Sequence, residues 1–424
     1  MTSTNLLDEL AWRDMLYQYT EGAGDALATG AVAGYAGFDP TADSLHVGNL
    51  VPVMGLVHLQ RAGHRPVALV GGGTGMIGDP SGKSSERQLA TREIVDENAR
   101  RIAAQLERFL DISGPRGAVM RNNADWLLEL GAVEFMRDVG KHFTVNFMLA
   151  KESVRSRMET GISYTEFSYM LLQAYDFVEL CRRDGVTLQM GGSDQWGNIT
   201  AGTELVHRTL GRQAHGITMP LVTTAAGTKF GKSEKGAIWL DPEKTTPYQF
   251  YQFWINADDR DVGRYLRFFT LLSRDEVESL DRAAAERPEK REAQQALADE
   301  VTTRVHGAES ARVAREISAL LFGGADPSTL GPATFAALRR EVPFAELPAM
   351  PQGPGLDPLD LLVATELVAS RGAAKRLLEQ GGVYVNGRRV SAADRFVSAE
   401  QLLPGGHALL RKGARDYGLV RVGG

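Results

Sequence analysis

Cysteine is almost missing. Cys181 is the single thiol in 424 residues, which excludes an internal disulfide framework and any multi-cysteine zinc or iron–sulfur site and fits a reducing compartment. Long apolar runs are missing as well: no stretch approaches the roughly 18 residues of a membrane-spanning helix. The first ten residues are polar and acidic and hold neither the basic nor the apolar region of a secretory signal. There is no strong excess of either charge. Basic residues number 47 and acidic residues 53, leaving a net −6. The whole molecule therefore does not read as a non-specific nucleic-acid binder, and any nucleic-acid site has to be a local patch. No internal repeat or low-complexity tract is present, and the eight histidines form no metal-ligand cluster. What is there, 43% apolar and 24% charged residues, is a globular composition; at roughly 100–200 residues per domain it allows two to four domains. The expectation is a soluble, cytoplasmic protein with no tightly bound metal.

Three textures follow one another. Residues 1–240 are glycine-rich and alternate short apolar runs with helical patterns. Ala31–Phe38 and Pro66–Val70 read as buried strands. Between them Leu50, Val53, Met54 and Val57 recur at helical spacing, with Gly63 as a stop. Pro52 is compatible with that helix if it begins near Asn49 to Val51. Strand, helix and strand in so short a span predict a right-handed βαβ unit and a parallel sheet. Val186–Met190 reads as another strand, ending in the turn Gly191-Gly192. Residues 241–330 read as helical, dense in Ala, Glu, Arg and Gln from Arg274 to Val305 and continuing from Glu309 to Leu321. Residues 331–356 are expected to be a Pro-rich linker, and the stretch punctuated by prolines at 343, 348, 351, 354 and 358 is expected to be extended, without a helix. Residues 357–424 carry ten basic against seven acidic residues, a balance of +3, so −9 of the total falls on the rest of the chain. A basic module on an acidic body points to a polyanion partner.

Several segments carry chemistry. The turn Gly71-Gly72-Gly73-Thr74-Gly75-Met76-Ile77-Gly78-Asp79 satisfies the dinucleotide fingerprint at Gly73, Gly75 and Gly78. The match is weak, because no acidic residue ends a following strand; Asp96 falls in a helical stretch. Close approach of the backbone to a ligand is still expected there. Gly78–Ser84 and Gly227–Ser233 both end in Gly-Lys-Ser, yet each has three residues between its glycines where a P-loop needs four. Lysines on glycine loops nonetheless suit a polyphosphate. His46 stands near a helix start, where the dipole and amides favour an anion, and Gly48 would let a flat group lie against the backbone. A nicotinamide dehydrogenase rests on the weak fingerprint alone.

His46-Val47-Gly48-Asn49 resembles the first signature of the class I aminoacyl-tRNA synthetases, and Lys229-Phe230-Gly231-Lys232-Ser233 resembles the second. Asn49 stands where a second histidine is common, and Phe230-Gly231 where Met-Ser is. Tyr35–Thr41 (YAGFDPT), Gly78–Lys83 (GDPSGK), Tyr169–Asp176 (YMLLQAYD) and Gly191–Asn198 (GGSDQWGN) are similar to the bacterial tyrosyl branch of that family, and Gly382–Gly387 (GVYVNG) to the S4 RNA-binding module. The resemblance covers nearly the whole chain. It implies an α/β fold: a Rossmann-like parallel-sheet catalytic domain, then an α-helical domain on the anticodon side, then a small α+β S4-like domain.

The resemblance also implies roles. The substrates would be ATP, with magnesium held mainly by its phosphates and water, L-tyrosine and tRNA(Tyr), and the assembly a homodimer. Adenylate formation and transfer to tRNA need no protein nucleophile, and no Ser–His–Asp or Cys–His arrangement is found. Lys229, Lys232, Lys83 and Arg87 would grip the departing pyrophosphate, with Thr41 and His46 hydrogen-bonding the phosphates. Gly37, Asp39, His46, Gly48, Asn49, Gly192, Asp194, Lys232 and Ser233 would bind ATP. Tyr35 and Asp176 would meet the substrate phenol, Asp79, Tyr169 and Gln173 its ammonium, and Gln195 its carboxylate side. Phenylalanine would leave Tyr35 and Asp176 unpaired, a selectivity for which this enzyme class is itself the standing example; no insertion is large enough for an editing domain. Arg371, Lys375, Arg376, Arg388 and Arg389 would track the tRNA. The competing readings are the tryptophanyl relative, against which Tyr35 with Asp176 argues because indole offers no hydroxyl there, and a non-catalytic RNA-binding protein.

Overall fold

The structure, a computed structural model, describes residues 5–81, 90–155, 158, 161–225, 227, 230–233, 236–393 and 396–423. The chain forms two compact units. One comprises Met1–Thr245 and Asn256–Val301, the other Thr246–Ile255 and Thr302–Gly424.

The first unit is built on six strands: β1 (Gln18–Tyr19), β2 (Ala33–Phe38), β3 (Arg65–Val70), β4 (Val119–Asn122), β5 (Val186–Gly192) and β6 (His215–Met219). Their order is β1-β6-β5-β2-β3-β4. All pairs are parallel except β1 with β6. From β2 the chain winds outward through β3 to β4, then returns to β5 on the other side and winds out to β6. That reversal is the switch point of a doubly wound fold, and the crevice between β2 and β5 opens at their carboxyl ends. The strands read as apolar runs because helices cover both faces. The helix Leu50–Arg61 is buried at nearly every position; Pro52 lies in its first turn, where no intrahelical N–H is lost. Gly63, just past its end, takes φ +88°. The long helix Tyr164–Asp184 is capped by the Ser163 hydroxyl, which accepts the Glu166 N–H, and stops at Gly185 in the left-handed conformation. A short antiparallel pair, β7 (Lys232–Ser233) with β8 (Gly236–Ala237), follows the sheet.

The start of this unit is stapled to its last helices by one side chain. Arg13, 2% exposed, donates to the carbonyls of Arg267 and Thr270 at 3.0 Å each and of Leu272 at 2.8 Å, and pairs with Glu9 at 2.7 Å. One planar cation thereby satisfies three carbonyl groups at and beyond the end of the helix Asp259–Phe269.

The second unit holds a five-stranded sheet in the order β11-β10-β12-β13-β9, from β9 (Phe344–Leu347), β10 (Val383–Val385), β11 (Arg388–Arg389), β12 (His407–Lys412) and β13 (Asp416–Val422). Helices Pro358–Ala364 and Arg371–Glu379 bury Leu359, Leu362, Ala374 and Leu378 in its core. Two boundaries expected from sequence are corrected here. The 241–330 stretch does not cohere as one domain: 256–301 joins the first unit, while 246–255 and 302 onward join the second. Amphipathic periodicity shows that a helix has a partner and not which one. The 331–356 stretch is not a bare linker. Pro332 opens the helix Pro332–Leu338, and Pro343 and Pro348 flank β9 without interrupting it, so β9 pairs in parallel with β13.

Replacing Arg13 by Met keeps the apolar stem but orphans three carbonyls and Glu9. Breaking a buried ionic cluster on one side costs about 3–5 kcal/mol. Urea unfolding followed by tryptophan fluorescence is expected to show a first transition displaced by that amount; an unmoved transition would show that the staple carries no stability.

Candidate active site

The switch point collects residues, expected and unexpected, from five separate places in the chain. β2 contributes Tyr35 and Gly37, and Asp39 follows its end. The turn after β3 brings Gly71 to Thr74, the end of β4 brings Asn122 and Asn123, and β5 ends in Gly191-Gly192 ahead of Asp194 and Gln195. The helix Tyr164–Asp184 supplies Tyr169, Gln173 and Asp176 at spacings of four and three, hence on one face.

The deepest part is a buried pair of acids. Tyr35 is 1% and Asp176 2% exposed. Asp176 accepts from Asn123 Nδ2 at 2.9 Å and from Trp126 Nε1 at 2.7 Å. Burial raises its pKa to about 8, against the lowering effect of those two donors. Burial, and then the nearby Asp176 charge, raises the Tyr35 phenol well above its ordinary value. The Tyr35 hydroxyl has no hydrogen-bond partner among the described residues. Its ring is fixed edge-on to Phe177 at 5.2 Å. A buried hydroxyl without a partner is costly, and a ligand hydroxyl placed between it and Asp176 removes that cost. Across the sheet, Gln189 lies in register with Tyr35 and its Oε1 likewise lacks a partner among the described residues.

Next to this pair is a zone of converging negative charge. The Tyr169 hydroxyl donates to Asp39 Oδ2 at 2.9 Å, and Thr74 Oγ1 donates to Asp39 Oδ1 at 2.8 Å. Asp39, expected on the adenosine side, is thus joined to the ammonium-side group. Gln195 Nε2 donates to Asp79 Oδ2 at 2.7 Å, and Gln173 Nε2 to Gln195 Oε1 at 3.3 Å. After desolvation, which comes first, the charges of Asp39, Asp79 and Asp176 help drive the Tyr169 phenol well above its ordinary pKa. Asp39 and Asp79, converging near one buried hydroxyl, make a site complementary to an ammonium.

The first signature is locally self-organised. His46 caps the turn Val47–Asn49: its Nδ1 accepts the Gly48 N–H at 3.0 Å, and Asn49 Oδ1 accepts the His46 N–H at 3.0 Å. With Nδ1 an acceptor, the neutral ring carries its proton on Nε2. Gly48 is required by the imidazole itself, since a Cβ there would lie 2.8 Å from His46 Cε1, whereas a Cβ on Gly37 would meet open space. A Cβ on Gly192 would lie 2.5 Å from Asp194 Oδ1. Thr41 is exposed, and its N–H donates to the Asp39 carbonyl at 2.8 Å. The second signature is laced to the first through backbone: Gly231 O accepts from Ile238 N at 3.1 Å, Ile238 O accepts from Val47 N at 2.9 Å, and His46 bridges to Trp239. Lys232 and Ser233 have paired backbones in β7. Lys83, Arg87 and Lys229 lie outside the described residues, as do the side chains of Lys232 and Ser233.

The glycine-rich turn packs against the protein's own side chains. Gly72 N donates to Asn122 Oδ1 at 3.1 Å and Gly73 N to Asn123 Oδ1 at 2.7 Å. A Cβ on Gly71 would fall 2.1 Å from Asp39 Oδ1. The small residues admit the protein's own Asn and Asp side chains.

Asn123, Trp126, Thr74 and Gln189 escaped the sequence reading. Gln189 had a signal, a polar residue inside an apolar strand. Asn123 and Trp126 had none, because they reach Asp176 only once β4 is parallel to β3. In the second unit Arg371, Lys375 and Arg376 are exposed on one helix and Arg388 and Arg389 on β11; Arg371 is engaged by Asp357 at 2.8 Å and by Asp360.

The raised Asp176 pKa has a signed consequence. The unfolded chain releases this proton near pH 4 and the folded protein near 8, so the group's contribution to stability is complete at low pH and is lost as pH climbs to about 8. Asp176→Asn does not titrate. Its melting temperature relative to the parent is expected to rise between pH 5 and pH 9, while Asp39, Asp79, Tyr35 and Tyr169 are common to both proteins. A difference independent of pH would refute the shift.

Comparison with known proteins agrees with this geometry. The family described as tRNA synthetases class I (W and Y) matches residues 27–323, and the Tyrosine--tRNA ligase SYY-like C-terminal domain matches 335–420. A tyrosine–tRNA ligase of Anaeromyxobacter dehalogenans is 54% identical, with 99% of each chain covered. That of Roseiflexus castenholzii is 52% identical over 99% of this chain and 100% of its own. Among solved structures, the C-terminally truncated mitochondrial tyrosyl-tRNA synthetase of Aspergillus nidulans covers 75% of this chain and 94% of its own, at 30% identity and a TM-score of 0.68. A tryptophanyl-tRNA synthetase of Encephalitozoon cuniculi shares the fold at 16% identity and a TM-score of 0.54, covering 72% of this chain and 87% of its own. On these matches the chain belongs to the class I aminoacyl-tRNA synthetases, in the tyrosine–tRNA ligase family.

Proposed function

We propose that the crevice between β2 and β5 is where this ligase binds L-tyrosine and ATP and forms tyrosyl-adenylate. The observation that carries the reading is the buried Tyr35 hydroxyl beside the buried Asp176, a pair of groups that a phenol hydroxyl completes. The Asp39, Asp79 and Gln173 group holds the substrate ammonium next to Tyr169, and Gln195 stands on the carboxylate side. The tyrosine carboxylate attacks the α-phosphate of ATP; the new oxygen–phosphorus bond forms as the α–β anhydride breaks and pyrophosphate leaves. A terminal hydroxyl of tRNA(Tyr) then attacks the adenylate carbonyl, giving the ester and AMP.

His46 donates its Nε2 proton to a phosphate oxygen, with Thr41 beside it. Gly37, Gly48 and Gly192 leave room for the adenosine, Asp194 takes its ribose, and Asn49 and Ser233 flank the nucleotide. Lys232 and Lys229, with Lys83 and Arg87, carry the charge that develops on the departing pyrophosphate. Among the described residues no three His, Cys, Asp or Glu side chains cluster as a metal site, and we assign no protein ligand to the magnesium that accompanies ATP.

Arg371, Lys375, Arg376, Arg388 and Arg389 meet the tRNA backbone. A second copy of the chain covers the apolar surface of the first unit at Val133, Met136, Val145 and Tyr164, each more than half exposed. We place the enzyme in the cytoplasm, where its substrates are. No helix among the described residues is long and apolar enough to cross a membrane.

Exchange of labelled pyrophosphate into ATP tests the reading directly. It is expected with tyrosine and with none of the other nineteen amino acids; exchange with tryptophan would overturn the assignment of the phenol pocket. Lys232→Ala is expected to keep tyrosine affinity and slow adenylate formation roughly 100-fold or more, the scale of losing one transition-state donor. Asp176→Ala is expected to lose discrimination against phenylalanine. Replacing Arg388 and Arg389 by Ala is expected to weaken tRNA binding, flatten its dependence on salt, and leave pyrophosphate exchange unchanged; an unaltered salt slope would remove these two residues from the interface.

A further inference from the structure

We infer that one face of the helix Asp259–Phe269 is a positioning device for the second signature, with Asp261 and Tyr265 as its working residues. The inference rests on the proposed role of Lys232 and adds to it residues that no signature contains.

Asp261, Tyr265 and Phe269 are spaced i, i+4, i+8 and therefore form one stripe along the helix. All three are buried, at 7%, 4% and 1% exposure. Each meets the segment that leads into the second signature or a neighbour that does. Asp261 Oδ2 accepts the Ala225 N–H at 2.9 Å. Tyr265 hydrogen-bonds to Asp261 through its hydroxyl. The Phe230 ring, 5% exposed, lies 5.0 Å from the Tyr265 ring and stacks on Phe269 at 5.2 Å with an interplanar angle of 9°. Two points of the segment, Ala225 and Phe230, are thus held on a single rigid rod.

The far side is held differently. Gly231 has φ +81°, and a Cβ there would lie 2.7 Å from Val47 Cγ2. It therefore turns the chain directly against the first signature, and Lys232 follows in β7. Phe230 sits one residue before this turn and two before Lys232. The stripe consequently sets where the turn begins relative to His46. Asp261 is well suited to that work: a buried carboxylate held by a backbone N–H and a phenol hydroxyl has little freedom to move. None of these side chains needs to touch a substrate. They act by placing Lys232, and misplacement of a group that grips the transition state lowers rate more than ground-state affinity.

The test uses the full-length enzyme and three substitutions, with Lys232→Ala as the reference. Single-turnover adenylate formation, tyrosine affinity by equilibrium dialysis and melting temperature are measured together. Asp261→Ala is expected to slow adenylate formation about tenfold, the scale of one buried hydrogen bond to a charged group, with tyrosine affinity within twofold of the parent. Asp261→Asn keeps an oxygen for the Ala225 N–H and is expected to restore the rate to within about threefold. Tyr265→Phe keeps the ring stack, removes the bond to Asp261, and is expected to fall between them. A parental rate in Asp261→Ala, or a loss of tyrosine affinity as large as the loss of rate, overturns the inference. If Asp261→Ala does not fold, an unchanged rate in Tyr265→Phe overturns it. If Lys232→Ala itself is as fast as the parent, the reading of Lys232 fails instead, and the two failures are distinguishable.

Discussion

The site depends on keeping a carboxyl group away from water at Asp176. A lone buried carboxylate is unfavourable by several kcal/mol in most environments, and its surroundings are arranged around that problem. Two N–H donors, from Asn123 and Trp126, converge on it. They can do so only if β4 lies beside β3 and if the helix Tyr164–Asp184 packs close enough to the sheet for Phe177 to meet Tyr35 of β2. Asn123 in turn uses its other atom to hold the turn after β3 through Gly73 and its Nδ2 to reach Thr74 Oγ1 at 2.9 Å. Thr74 holds Asp39, and Asp39 holds Tyr169. The strand order, the glycine-rich turn and the amino-acid side of the crevice are therefore one connected polar network, and a satisfied network of this kind rigidifies as well as specifies.

The nucleotide side is built on another principle. There the ordering is done largely by backbone: the cap made by His46 and Asn49, the bridge from His46 to Trp239, and the hydrogen bonds linking Val47, Ile238 and Gly231. Backbone pairing holds two distant stretches of sequence at a fixed separation. On the function proposed above, the hydrogen-bonded network would serve recognition of the amino acid and the laced pair of loops charge stabilisation of ATP.

Much of this was legible in the sequence. The strands around Tyr35 and Val67, the helix with Pro52 in its first turn and the stop at Gly63 follow from local chemistry alone. The local geometry of the two signatures and of the Tyr169–Asp176 motif was legible, because their residues lie close together in sequence and share a helix face or a turn. The parts that were missed are those that only the sheet brings together. Nothing local distinguishes Asn123 and Trp126 from any polar turn and any buried indole. The prolines at 343 and 348 misled for a related reason: they exclude a helix at their own positions but are neutral about a strand between them. The glycines at 71 to 73 pointed to a ligand because glycine permits close approach, and the approach is made by Asn122, Asn123 and Asp39 instead. Asp39, read as a nucleotide group, accepts hydrogen bonds from Tyr169 and Thr74, contacts that no local pattern announces.

The route of the chain between the two compact units has a consequence for synthesis. Thr246–Ile255 belongs with residues from 302 onward, and Asn256–Val301 belongs with the residues before 246. A ribosome delivers these pieces in an order that neither unit can use as it comes. The Arg13 staple of the first unit cannot close until Leu272 has left the exit tunnel, because the carbonyls that Arg13 grips lie at 267, 270 and 272. The apolar helix Pro247–Ile255, with Phe250, Tyr251 and Trp254 buried in the finished protein, emerges well before its partners. Growing chains at that stage carry an exposed aromatic segment in search of a surface, the kind of intermediate that chaperones retain.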